Sequence, residues 1–125
     1  MKFQVKTTKS AKDAIVLHVS GQLVVGEAAA KLQENVTRVA ENRLIVDLAN
    51  VSAIDGAGLG TLVWLRNWAV SSGRKLQFAN PSERVLELLE LTRLDMVLDI
   101  CTTGEQPAAA FAKGRSAIQY CSATR

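Results

Sequence analysis

The sequence predicts an α/β domain on a mixed central sheet of about five strands with helices packed on it, in the order ββαβαβαβ plus a short C-terminal helix or tail. Three observations carry that reading. Two short apolar runs at the start are separated by a polar turn. Beyond them, stretches with apolar residues three and four apart alternate with short apolar runs. One of those runs, Leu44-Ile45-Val46-Asp47-Leu48, is almost unbroken, as suits a central strand covered on both faces.

Phe3-Val5 and Ala14-Ile15-Val16-Leu17-His18-Val19 read as the two opening strands, with Lys9 to Asp13 turning between them and Gly21 ending the second. From Glu27 to Asn42, apolar residues recur at Ala28, Leu32, Val36 and Val39, the spacing of an amphipathic helix. The strand Leu44–Leu48 follows, then a loop of small residues from Asn50 to Gly58. A second helix is expected from about Ala57 to Ser72, stopped by Gly73 as a C-terminal glycine stops helices. Leu76-Gln77-Phe78-Ala79 is the next strand. Asn80-Pro81-Ser82-Glu83 is a helix start, since proline gives up a donor that the first turn does not use and glutamate suits the positive end of the dipole. Leu86, Leu89 and Leu94 give that helix its apolar face, and Val97-Leu98-Asp99-Ile100 is the last expected strand. Residues 1–101 form the domain in this reading, and 102–125 an extension with a short helix around Gln106–Ala112 docked through Phe111.

The chain has 125 residues, 48% of them hydrophobic and 22% charged, the balance of one globular domain with a continuous core. A net charge of +3, with Lys2, Lys6, Lys9 and Lys12 near the start and Lys113, Arg115 and Arg125 near the end, reads as solvated termini rather than a nucleic-acid surface. The first residues alternate polar and apolar and form no signal peptide. The most apolar stretch, Gly58 to Val70, contains Arg66 and Asn67 and is too short for a bilayer. The expectation is a cytoplasmic protein without direct membrane insertion. Cys101 and Cys121, in no ligand spacing, are expected as reduced thiols.

Ile45-Val46-Asp47-Leu48, then Val51, then Ile54-Asp55-Gly56-Ala57-Gly58-Leu59-Gly60 is the most informative segment. It resembles the signature of the STAS domain family: a strand ending in Asp-Leu, a short loop, and D-[ST]-x-G-L-G opening a helix. Gly21-Gln22-Leu23, Asn80-Pro81-Ser82-Glu83-Arg84-Val85 and Leu88-Leu89-Glu90-Leu91-Thr92-Arg93-Leu94 resemble the same family in the same order, so the likeness covers roughly residues 1–101. It implies a protein-interaction module similar to anti-sigma-factor antagonists. Such modules capture an anti-sigma factor that is also a serine kinase. The kinase ends the capture by phosphorylating a hydroxyl in the signature loop. A phosphate at a helix N-terminus is well placed, and its charge of about −2 disfavours acidic or apolar partner surface.

The loop departs from that pattern where the switch would act. Ala57 occupies the family's phosphoacceptor position, and Val24 stands where many members carry an aspartate. No phosphoacceptor is therefore expected in the loop. Ser52 and Thr61 are the nearest hydroxyls and read as solvent-facing or capping groups. Asp55 reads as a capping carboxylate, alongside its place in the partner surface. On the second helix, Leu59, Leu62, Leu65 and Ala69 share the apolar face, while Trp64 lies off it and Trp68 at its margin. The two tryptophans are either covered by the tail or a neighbouring helix, or belong to a docking or dimer surface.

The expected partner surface is accordingly Asp55, Gly56, Ala57, Gly58, Leu59, Thr61, Trp64 and Trp68. Its expected partner is an anti-sigma factor or serine-kinase-type regulator, with a homodimer also open. The alternative is a STAS subunit of a phospholipid-transport or other ATPase complex, docking through the same loop. An enzyme or nucleotide-binding protein is disfavoured. Gly56-x-Gly58-x-Gly60 fits neither G-x-G-x-x-G nor a P-loop, and His18, the one histidine, reads as a strand residue without a catalytic partner. No cofactor, metal or catalytic residue is expected.

Overall fold

The computed structural model describes residues 3–9, 14–102 and 119–120. Strands β1 (Gln4–Lys9) and β2 (Ile15–Leu23) pair antiparallel, with Val5 opposite Val19. There follow α1 (Glu27–Thr37), β3 (Arg43–Ile54), α2 (Gly56–Ser71), β4 (Lys75–Ala79), α3 (Glu83–Leu91), a 3-10 turn over Leu94–Met96, β5 (Ile100–Thr102) and β6 (Gln119–Tyr120). The strands lie in the sheet in chain order, β1 to β6, and every pairing after the first is parallel. Parallel neighbours need a crossover between them, which α1, α2 and α3 supply in turn. The α/β fold with a mixed sheet is thus present. The two-residue β6, from the stretch expected to be an extension, adds an edge beyond the five expected strands.

Side-chain alternation along the strands divides the buried residues between two faces. Leu17, Val19, Val46, Leu48 and Phe78 point to one face, where Leu32 and Val36 of α1, Leu62, Leu65 and Ala69 of α2, and Val85 and Leu89 of α3 join them in a single cluster. Ala14, Val16, Ile45, Ala79 and Cys101 form a second, smaller buried cluster that contains no helical residue.

Five boundaries differ from the sequence expectation. Helix α1 ends at Thr37 rather than Asn42, because the chain tightens there: Val39 N–H closes onto Val36 O at 3.2 Å and the Thr37 hydroxyl turns back to Gln33 O at 2.8 Å. Strand β3 runs through most of the expected loop to Ile54. The end of β2 extends beside it, with Gly21 opposite Val51 and Leu23 opposite Ile54 across two register irregularities. Leu94 belongs to the 3-10 turn rather than to α3, which ends at Leu91. Arg93 enters that turn with φ 63°, so Val97–Asp99 is not strand and β5 begins at Ile100.

A further correction concerns the thiols. Cys101 is disulfide-bonded, against the expectation of two reduced cysteines. Spacing in the sequence could not show that β6 returns the chain alongside β5, with Cys101 opposite Gln119. The other cysteine, Cys121, lies outside the described residues, as does the helix expected around Phe111.

Candidate functional site: the signature loop and the exposed side of α2

Asp55 is the N-cap of α2, with extended backbone at φ −120°. Its Oδ1 accepts from Gly58 N–H at 2.9 Å, and its Oδ2 accepts from Val25 N–H at 3.0 Å. One carboxylate thereby satisfies an orphan donor of α2 and clips the β2–α1 turn to the helix start. These hydrogen bonds, Val25 first and Gly58 second, favour the ionised form and hold the Asp55 carboxyl below the ordinary aspartate range. Of the two roles open to Asp55, the structure displays capping.

Gly58 is required by packing. A Cβ there would lie 2.1 Å from Leu23 O and 2.6 Å from Ile54 Cγ1, so the helix can start against the end of β2 only with hydrogen at that position. Gly56 and Gly60 differ, since a Cβ at either meets nothing within 4 Å. They leave an open surface along one side of the first turns.

Of the residues expected in the partner surface, Gly56, Ala57 and Trp64 are exposed, and the spacing of four between Gly56, Gly60 and Trp64 puts them on one side of α2. Trp64 is 44% exposed. Leu59 and Trp68 are half-buried against the core. Trp68 carries the Arg74 guanidinium 5.2 Å above its ring, and the same Arg74 donates to Val39 O and Glu41 O. Two expectations are corrected. Gly58 is buried, and Thr61 is only 4% exposed, its hydroxyl donated to Ala57 O at 2.9 Å. A helix hydroxyl facing the core bonds back to the preceding turn, and the Thr61 hydroxyl does so here.

Val25 was missed. The Asp55 clip holds it beside the loop with 74% of its surface exposed. Its sequence signal was the apolar pair Val24-Val25 just before Gly26, where a turn is ordinarily polar. Ser52 is exposed and donates to Gly21 O at 3.3 Å, while Ser82 is committed to Val51 O at 2.8 Å and to Val85 N–H. Among the described residues, the surface beside the loop is thus made of small and apolar groups around an inward-turned carboxylate. No described helix is long and apolar enough to cross a membrane.

The comparisons agree with this geometry. The STAS domain family matches residues 2–106. The anti-sigma-B factor antagonist of Bacillus subtilis (strain 168) is 30% identical over 99 residues, which cover 78% of this chain and 90% of that protein. A Thermotoga maritima crystal structure, assigned as an anti-sigma factor antagonist, superposes with a TM-score of 0.66 at 24% identity over 90% of this chain and 94% of that one. The unphosphorylated anti-sigma factor antagonist SpoIIAA gives 0.62 at 18% identity over 90% and 97%. The two structures speak for the fold. With the family match spanning most of the sequence and a curated relative that it covers almost end to end, this chain belongs to the STAS domain family.

Proposed function

We propose that this STAS domain is a binding module that captures an anti-sigma factor through Gly56, Ala57, Gly60 and Trp64, with Val25 beside them, and that phosphorylation of the loop does not regulate the contact. The relatives are anti-sigma factor antagonists, and the reading transfers that role. The observation that carries the second half is Ala57. It is exposed in the first turn of α2, at the family's phosphoacceptor position, with a methyl group that cannot take a phosphoryl. Thr61, the next hydroxyl along the helix, is buried and hydrogen-bonded. The exposed tryptophan supports a docking role, since large aromatic anchors dominate the energetics of such contacts.

The test is a pull-down from native lysate together with incubation with the cognate kinase and ATP. Recovery of an anti-sigma factor, with no stoichiometric phosphate on the chain, is the expected result. Stoichiometric phosphate on Ser52 or Thr61 would sink the unregulated reading. Recovery of an ATPase subunit without an anti-sigma factor would move the chain to a transport complex.

A further inference from the structure

His18 sits on β2 between two side chains from its neighbouring strands. Its Nδ1 lies 3.2 Å from Asp47 Oδ2 on β3, and its Nε2 lies 3.0 Å from Thr8 Oγ1 on β1. Asp47 is itself fixed, because its Oδ1 accepts from Ala49 N–H at 3.0 Å. A carboxylate accepts only, so Nδ1 carries the imidazole proton and Nε2 is left to accept from the Thr8 hydroxyl. The result is a hydroxyl bonded to a base that is oriented by a carboxylate, the arrangement that activates a nucleophile. The register explains how it forms. His18 is directly opposite Asp47 in the parallel pair, and Thr8 is the diagonal neighbour of His18 in the antiparallel pair. All three belong to the sheet face that carries Val16 and Ile45, away from the described helices.

From these positions we infer that Thr8 is an activated hydroxyl that accepts an acyl group from an activated ester, a site separate from the signature loop. Exposure fits the role. Thr8 is exposed, and the His18 side chain retains 42% of its surface against 17% for Asp47, so the reactive end faces solvent and the orienting end is shielded. Strand β1 is the edge of the sheet, where alternate N–H groups point away from β2 and can meet a developing oxyanion. In the step itself, Thr8 Oγ1 bonds to the ester carbonyl carbon while its proton passes to His18 Nε2. The bond to the leaving alkoxide or phenolate then breaks, and that oxygen takes the proton from His18. The products are a threonine ester, a free alcohol or phenol, and the original neutral imidazole, with no change of oxidation state.

Thr7 provides the internal comparison. It is an exposed hydroxyl one residue away on the opposite face of β1, beyond reach of the imidazole. The experiment treats the full chain with p-nitrophenyl acetate and maps the acetyl group by peptide mass spectrometry. Hydroxylamine separates threonine esters, which it cleaves, from acetyl-lysine at Lys6 or Lys9, which it does not. The expected result is acetylation of Thr8 about a hundredfold faster than Thr7, the usual worth of a positioned base. His18→Gln should bring the Thr8 rate down to that of Thr7. Asp47→Asn should slow the step with the fold intact by circular dichroism. Equal labelling of Thr7 and Thr8, or a Thr8 rate unchanged by His18→Gln, overturns the inference. So does p-nitrophenolate release that survives Thr8→Val but not His18→Gln, which would place the nucleophile on the imidazole. None of these outcomes depends on which protein the loop binds.

Discussion

Gly58 and Gly60 lie on the same helix two residues apart, and a methyl group added to each should act with opposite sign. At Gly58 the new Cβ would sit 2.1 Å from the backbone oxygen of Leu23. An ordinary carbon–oxygen contact is about 3.3 Å, so the first turn of α2 must retreat from β2 by more than about 1 Å. The obstacle is main chain within the sheet and cannot swing aside. That retreat also opens the Asp55 N–H to Leu23 O contact, already 3.4 Å, and the Asp55 bond to Val25. Overpacking of this kind costs about 1–3 kcal/mol, against up to about 1 kcal/mol regained by replacing glycine in a helix, so a net loss of about 1–2 kcal/mol is expected. At Gly60 the Cβ meets nothing, and only the helix term remains, a gain of about 0.5–1 kcal/mol. Urea unfolding of Gly58→Ala and Gly60→Ala, followed by circular dichroism, reads both through the shift in midpoint at constant slope. Two variants within about 0.5 kcal/mol of each other would refute the packing account, because that is the scatter of unremarkable surface changes.

Ser82→Ala removes the α3 cap and leaves Val51 O without its donor, so a loss of about 1–2 kcal/mol is expected in the same unfolding assay. The lowered pKa of Asp55 means that its unfolded form takes up a proton first. Its stabilising contribution is therefore present above the unfolded-state pKa, near 4, and is lost as pH falls through the lower folded-state value. An acid titration of stability should show that portion in the wild type and lack it in Asp55→Asn. Trp64→Ala should weaken partner binding by about 2 kcal/mol or more, measured by calorimetry, while leaving the unfolding midpoint almost unchanged.

Segments whose pattern answers to local physics were legible in the sequence. Asn80-Pro81-Ser82-Glu83 announced a helix start and Asp55 a cap. In the structure Asp55 caps α2, while α3 is capped by Ser82 and Pro81 lies just before it rather than in its first turn. The run Leu44–Leu48 announced a buried strand, and Leu44, Ile45, Val46 and Leu48 are all buried. The failures share one cause, which is that they depend on what lies across a strand pair or a turn. Asn50–Ile54 looked like loop because its small and polar residues show no strand periodicity, yet the lengthened end of β2 pairs with it. Thr61 looked available until the helix phase turned it inward. His18 looked solitary because its partners are ten residues before it and twenty-nine after it. Val25 was passed over because nothing local ties it to the loop; its backbone N–H bonds to Asp55, thirty residues away.

The sheet lists its strands in the order in which they are synthesised. Each new strand therefore finds its neighbour already made, and no strand must wait for a later segment to slot between it and its predecessor. Residues of α1 and α2 can close over β2 and β3 before β5 has left the ribosome. Assembly from the N-terminus, at the usual pace of about 5–20 residues per second, never requires an inserted strand, and the edges open to wrong pairing are β1 and the growing one. Chain order thus lets each strand be added to an edge that is already in place.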